Sequence, residues 1–297
     1  MKENPTNQNV VVTGATSGIG LAIAEELLQR NANIIGIGRS PEKCQGCEAR
    51  FHKLYPQSRV KYLVADLSLQ QNIHALVPQI TSALQEWDHP YLDALINNAG
   101  TFVFWFTQTA EGIETQWAVN HLAPFLLTRQ LLPLLQAAPQ ARVITVSSEN
   151  HSWTNIHWQD VQMHRTYSGL TAYSQSKLAN VLFTVELNHL VGLDSKIRAY
   201  AADPGLVSTE IAFKGTPLLA RWIWSIRRKG GVTPAQSARG IVAIFDQPLK
   251  AYPGAIYWKD GFPKKPAARA LDANNATRLW ALSAHMCGIN NSEINHV

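Results

Sequence analysis

The sequence predicts an α/β fold, a doubly wound parallel sheet of about seven strands flanked by helices in a single domain. Three observations carry this. Short apolar runs rich in Val, Ile and Tyr recur along the 297-residue chain, longer helical patterns separate them, and a glycine loop links the first run to the first helix. Alternation of this kind marks βαβ units, whose crossovers cover both faces of a parallel sheet with helices.

The strand runs, in order, are Val10–Val12, Asn33–Ile37, Val60–Val64, Ala94–Ile96, Arg142–Val146, Ile197–Ala202 and Ala255–Trp258. The first is followed by Thr13-Gly14-Ala15-Thr16-Ser17-Gly18-Ile19-Gly20, then by the helical spacing of Leu21, Ile23, Ala24, Leu27 and Leu28. Glycines permit a tight turn and close backbone approach, and a helix N-terminus offers free N–H groups to a pyrophosphate. The spacing is Gly-x-x-x-Gly-x-Gly, and no Gly-Lys-Ser/Thr follows, which excludes a Walker A loop. An ordinary glycine-rich turn is the competing reading; the strand before and the helix after weigh against it. Ser40-Pro41 and Thr233-Pro234 each place an N-cap before a proline at the first helical position, and Gln236 completes a capping box with Thr233. No repeat, low-complexity tract or linker divides residues 1–297, which read as one dinucleotide-binding unit.

Composition bounds the function. An apolar content of 46% suffices for a sizeable core, and no run of ~18 uncharged apolar residues suggests a membrane span. The polar stretch Met1–Asn9 has no apolar core of a signal peptide. Three cysteines, an odd count, argue for a reducing compartment, hence a cytoplasmic protein. With a net charge of +5, Lys and Arg are dispersed except at Arg227-Arg228-Lys229, and basic residues do not interleave with aromatics, so nucleic acid is not the expected partner. Cys44-Gln45-Gly46-Cys47 resembles half a zinc site, but no second Cys-x-x-Cys exists and His52 is the only extra ligand nearby; no metal is expected.

The chemistry centres on Tyr173-Ser174-Gln175-Ser176-Lys177. Residues at i and i+4 share a helix face, and a lysine cation there favours the phenolate and lowers the tyrosine pKa. A phenol so poised can exchange a proton with a substrate oxygen. Surface helices produce Tyr-x-x-x-Lys often; the glycine loop upstream gives it weight.

In register with these features stand Asp66-Leu67, Asn97-Asn98-Ala99-Gly100, Asn120-His121-Leu122, Val146-Ser147-Ser148 and Pro204-Gly205. Together they resemble the short-chain dehydrogenase/reductase superfamily over about Val10 to Trp280. The run Ser176–Thr184 and the long insert between Ser148 and Tyr173 are most similar to its retinol-dehydrogenase-like and WW-domain-oxidoreductase-like branch. The resemblance implies a Rossmann-type sheet and a catalytic tetrad of Asn120, Ser148, Tyr173 and Lys177. Tyr173 would be the acid/base, Ser148 would steady the substrate oxygen, Lys177 would tune the phenol and hold the nicotinamide ribose, and Asn120 would position a water in a proton relay. Ser147 competes with Ser148; the family pattern puts the serine second in Val-Ser-Ser. Cofactor contacts are implied at Gly14, Thr16, Ser17, Gly18, Ile19, Gly20, Arg39, Asp66, Leu67, Asn98, Ala99, Gly100, Tyr173, Lys177, Pro204, Gly205 and Thr209.

Cofactor choice turns on Gly38-Arg39. An acid at the end of the second strand would bond the ribose 2′-hydroxyl of NAD, whereas an arginine accommodates the 2′-phosphate of NADP. With Gly38 in the acid's place and Arg39 next, NADP(H) is expected; a solvated surface arginine is the competing reading.

Pro124, where relatives usually carry another residue, removes the N–H that would bond the Asn120 carbonyl; either the helix kinks there or Pro124 opens a turn after an existing break, and both readings leave that carbonyl free. Asp203 stands where the branch usually has His, and either chemistry or a strand-end cap would account for it. His151, Trp153, His157, Trp158, His164 and Tyr167 in the insert are expected to wall the pocket, some as plain packing.

The segment 206–231 follows Pro204-Gly205, where the family places a mobile lid. Leu218, Leu219, Trp222, Ile223 and Ile226 fall on one helix face, either as a lid for a lipophilic alcohol or carbonyl substrate or as ordinary packing, and Arg227-Arg228-Lys229 suggest weak peripheral membrane contact. A homodimer or homotetramer suits the fold. An inactive dinucleotide sensor is the alternative function, which the intact tetrad disfavours.

Overall fold

A computed structural model describes residues 7–206, 231–249, 251–252 and 254–289. One eight-stranded sheet runs in the order β3-β2-β1-β4-β5-β6-β7-β8. Its strands are β1 (Asn9–Thr13), β2 (Asn33–Gly38), β3 (Val60–Val64), β4 (Ala94–Asn97), β5 (Ala141–Val146), β6 (Ile197–Asp203), β7 (Tyr257–Lys259) and β8 (Phe262–Pro263). All seven expected strands are present and parallel. Two details differ from the sequence reading. The seventh strand begins two residues later than expected, and Gly261 turns the chain through a positive φ into the short antiparallel β8.

The helices are α1 (Gly18–Leu28), α2 (Pro41–Leu54), α3 (Gln70–Glu86), α4 (Thr115–Trp117), α5 (Ala123–Ala137), α6 (Gly169–Val191), α7 (Pro234–Val242) and α8 (Ala273–Met286). They cover the sheet with two buried layers. One joins Ile37, Leu95 and Val143 to Phe125, Leu182 and Trp280; the other joins Val10, Ile34 and Ile144 to Ile23, Leu27 and Ile241. The capping expectations hold: the Ser40 hydroxyl accepts from Lys43 N, and Thr233 and Gln236 cap each other. The order 3-2-1-4 reverses direction between β1 and β4, and a crevice opens at the carboxyl ends of strands where such a reversal occurs. Among the described residues no helix is long and apolar enough to cross a membrane.

Candidate active site

The glycine loop lies at that reversal, between β1 and α1. Gly14 and Gly18 both turn through positive φ. A Cβ on Gly20 would lie 2.3 Å from the Gly14 carbonyl oxygen and 2.4 Å from Asn98 Nδ2, so only glycine lets the first turn of α1 pack here. The N-cap residue Ser17 is exposed and its side chain does not cap α1, whose first N–H groups face the crevice end of the sheet. Ile19 is half-buried beside it. This cradle fits a pyrophosphate.

Asn98 and Ala99 hold the loop to β4. Both their N–H groups donate to Thr13 Oγ1 (3.0 and 2.9 Å), and Asn98 Nδ2 donates to the Thr13 carbonyl (2.9 Å). The Asn98 amide is thus spent on the scaffold, and its bearing on a cofactor is indirect. Asp66 likewise turns its carboxylate onto Ser68 N (2.9 Å), shaping the bend that carries the half-buried Leu67. Arg39 is exposed at the end of β2. Gly38 beside it has no room for a side chain, since a Cβ would lie 2.4 Å from Thr16 Cγ2 and 2.8 Å from Cys44 Sγ. Thr16 and Cys44 therefore occupy the space an acid would need.

The tetrad residues converge where β4, β5 and α6 meet. Between α4 and α5 the chain makes a π turn, Ala118–Leu122, and Pro124 stands in the first turn of α5. The expected kink is this π turn, and Pro124 follows the break, the second of the two readings. The turn aims Asn120 inward: its Oδ1 accepts from Thr101 N (2.7 Å), and its Nδ2 donates to the Thr101 carbonyl and to Ser176 Oγ (both 3.0 Å). The Asn120 side chain is engaged by protein, which leaves its main-chain carbonyl as the group suited to a water. Lys177 is buried and donates to the Val146 carbonyl (2.9 Å), with its ammonium 5.5 Å from the centre of the Tyr173 ring. A Cβ on Gly100 would sit 3.4 Å from Asn120 Oδ1 and 3.6 Å from Lys177 Nζ, so both converge on that glycine.

The two serines divide as the family pattern suggests. Ser147 is buried and donates to the Lys177 carbonyl (2.8 Å), a link between β5 and α6. Ser148 faces the Tyr173 phenol and favours its anion.

Burial nevertheless pushes the phenol up to about 12, with Ser148 opposing the rise and the Asp203 carboxylate adding to it. The expected lowering by Lys177 does not enter this balance, in which burial dominates and Ser148 is the group that favours the anion. The same burial brings Lys177 down to about 8.

His151 backs the serine. Its Nε2 accepts from Ala267 N (3.1 Å), so Nδ1 carries the proton and donates to the Ser148 carbonyl (2.8 Å). Of the other insert residues, Trp158 packs under Arg278, 4.3 Å from the guanidinium, and Tyr167 donates to the buried Glu114 (2.9 Å). His157 N donates to Gln175 on α6 (2.8 Å), while Trp153 is exposed. These roles are mostly structural.

The wall beside the phenol comes instead from a segment the sequence reading passed over, Thr101–Phe106. Phe102 meets Tyr173 edge-on at 5.6 Å and Phe104 at 4.8 Å, and Phe106 meets His164 and Tyr167. Four aromatics in six loop residues, Phe102, Phe104, Trp105 and Phe106, were the available signal. Pro204 and Gly205 follow β6, Gly205 at φ +75°. Thr209 and nearly all of the 206–231 segment, with Arg227-Arg228-Lys229, lie outside the described residues. Among the described residues no cluster of His, Cys, Asp and Glu could hold a metal.

The family model described as short chain dehydrogenase matches residues 8–216. Mouse retinol dehydrogenase 14 (Mus musculus) is 34% identical over 95% of this chain and 86% of its own length. Human retinol dehydrogenase 11 (Homo sapiens) is 33% identical over 94% and 86%. A solved structure of an uncharacterized protein from Mycobacterium Paratuberculosis superposes with a TM-score of 0.71 at 30% identity, covering 97% of this chain and 96% of that one. The L-sorbose reductase of Gluconobacter frateurii, solved with NADPH and L-sorbose, shares the fold at a TM-score of 0.68 and 22% identity, covering 87% and 97%. The chain belongs to the short-chain dehydrogenase/reductase family, on its retinol-dehydrogenase-like branch.

Proposed function

We propose that this protein is an NADP(H)-dependent oxidoreductase that moves a hydride between the nicotinamide and a lipophilic alcohol or carbonyl compound, with Tyr173 as the proton carrier. The observation that carries this reading is the placement of a phenol, a facing serine hydroxyl and a buried ammonium at the carboxyl ends of β5 and β6, next to the glycine cradle. When bound, the dinucleotide supplies the hydride. The α1 N-terminus and loop glycines would hold its pyrophosphate, and Arg39 its 2′-phosphate. Ser148 and Tyr173 would grip the substrate oxygen from two sides, and Tyr173 would give or take the proton there. Lys177, fixed by the Val146 carbonyl, would hold the ribose and pass protons toward the Asn120 carbonyl.

The aromatic segment 102–106 supports an apolar substrate, since rings that line a site favour large hydrophobic ligands. The relatives named as retinol dehydrogenases make retinal and retinol the first compounds to try. Oxidation of NADPH by the purified protein, followed against apolar aldehydes and ketones including retinal and steroids, tests the proposal. Turnover of none of them, with dinucleotide bound, would sink it.

A further inference from the structure

The aromatic wall beside Tyr173 is pinned along its backbone at its start, its middle and its end. At the start, Thr101 N donates to Asn120 Oδ1 (2.7 Å) and the Thr101 carbonyl accepts from Asn120 Nδ2 (3.0 Å). At the end, the Thr107 carbonyl accepts from Thr115 N and from Thr115 Oγ1 (both 2.9 Å). The middle is held at Val103, whose carbonyl accepts from Gln116 Nε2 on α4 (3.3 Å). The same amide nitrogen donates to the Gly169 carbonyl (3.0 Å) and to the Tyr167 hydroxyl (2.9 Å), which itself donates to Glu114 (2.9 Å). Gln116 is fully buried, and flipped its amide oxygen would face two carbonyls, so its donors must point this way.

Gly169 completes the middle pin. It is the first residue of α6, and its backbone does not turn through positive φ, so conformation makes no demand for glycine there. Space does. A Cβ at 169 would lie 2.3 Å from the Val103 carbonyl oxygen and 2.9 Å from Phe104 Cα. Four residues on, the same helix face carries Tyr173. Wall and phenol therefore take their spacing from one helix, and the missing side chain sets how near the wall comes. Phe102 lies between the pins at Thr101 and Val103, and its ring meets Tyr173 edge-on at 5.6 Å.

The geometry points to Gly169 and Gln116 as positioning residues that set the thickness of the carbonyl substrate, by holding Phe102 against Tyr173. This inference rests on the function proposed above, in which the substrate oxygen meets the Tyr173 hydroxyl. A molecule whose oxygen reaches that hydroxyl lies beside Phe102. A wall fixed by backbone hydrogen bonds on either side of the ring does not yield as a lone side chain would. The favoured class is flat and unsaturated beside the carbonyl, and a saturated ring of the same size is too thick. Alanine at 169 would part the two backbones by roughly 1 Å before ordinary contact is restored, a displacement large enough to alter selection between substrates.

The test uses full-length wild type, Gly169→Ala, Gln116→Met, Phe102→Leu and the double variant Gly169→Ala/Phe102→Leu. With NADPH, kcat/KM is measured for benzaldehyde and for cyclohexanecarbaldehyde, which share a carbon skeleton and differ in thickness. Comparing their ratio between variants cancels their unequal reactivity. NADPH affinity and Tm are recorded alongside. Each single variant should raise the ratio in favour of the thick ring by on the order of tenfold, with NADPH affinity unchanged. Because Gly169 acts through the Phe102 ring, the double variant should match Phe102→Leu and not multiply the two effects. If Gly169→Ala folds poorly, Gln116→Met alone and combined with Phe102→Leu gives the same comparison. A lower Tm at an unchanged ratio, or effects that multiply, would reduce the clamp to a structural tie and overturn this inference alone, as would turnover of other carbonyl compounds but of neither ring. Turnover of none overturns the proposed function and this inference with it.

Discussion

Tyr173 and Lys177 share a helix face, and burial works against the charged form of each: the phenol is held up at about 12 and the ammonium down at about 8. Tyr173→Phe should therefore cut kcat by at least about a hundredfold, the scale of a lost general acid, with NADPH affinity nearly unchanged. Lys177→Ala should harm both. Near-normal turnover in the Phe variant would refute the assignment. Arg39→Ala should weaken NADPH by about 1.5–3 kcal/mol, the range of charge-assisted bonds, and NADH far less; equal affinities for the two in the wild type would refute an NADP(H) preference. An acid placed at Gly38 would press its Cβ to 2.4 Å from Thr16 Cγ2 and 2.8 Å from Cys44 Sγ, so Gly38→Asp should lower Tm. The positions of Ser148, Tyr173 and Lys177 were legible because they are tied to local patterns, a helix face and a strand end. Phe102 was not, because an aromatic in an irregular loop has no period to betray which side it faces.

At the scale of elements, caps were readable and breaks only partly. Thr233 and Gln236 declare the start of α7 because both orphan N–H groups are met by side chains three residues apart. Thr233→Ala should cost about 1 kcal/mol of stability, read as a lower denaturation midpoint at unchanged slope; no change would show that α7 is held by its packing on α1 alone. Pro124 announced a disturbance, but the sequence could not say whether the helix would kink or widen. The choice of a π turn depends on Thr101 and Ser176, which reach Asn120 from segments 19 and 56 residues away. The added β8 was unreadable for a similar reason: two residues carry no alternation, and the pairing is set by the turn at Gly261.

For the whole molecule, acid sensitivity has a nameable source. His121 is fully buried under Trp117 and bonded to Ser283 on α8 (2.7 Å), and burial holds it down at about 3 against an ordinary 6.5. Below pH 6.5 the unfolded chain takes up a proton that the folded one refuses, so this residue's contribution falls as pH drops from 6.5 toward 3. Asp93 has the opposite sign: its buried carboxyl is held up at about 6, and acidification through that value regains stability. His121→Asn should flatten the loss of stability between pH 7 and pH 5 by up to about 1.4 kcal/mol per pH unit, measured by urea denaturation; identical slopes in the two proteins would clear His121. The doubly wound parallel sheet was legible from βαβ alternation. The clamp of Asn98 on Thr13, spanning 85 residues, was not. That clamp has a consequence in time. The crevice proposed for the cofactor lies at the seam between β1 and β4, strands that are separated in sequence by β2, β3 and their helices, and such distant contacts are slow to form. The binding site therefore depends on a contact between segments 85 residues apart, and a dinucleotide recognises only chains that have already closed that loop.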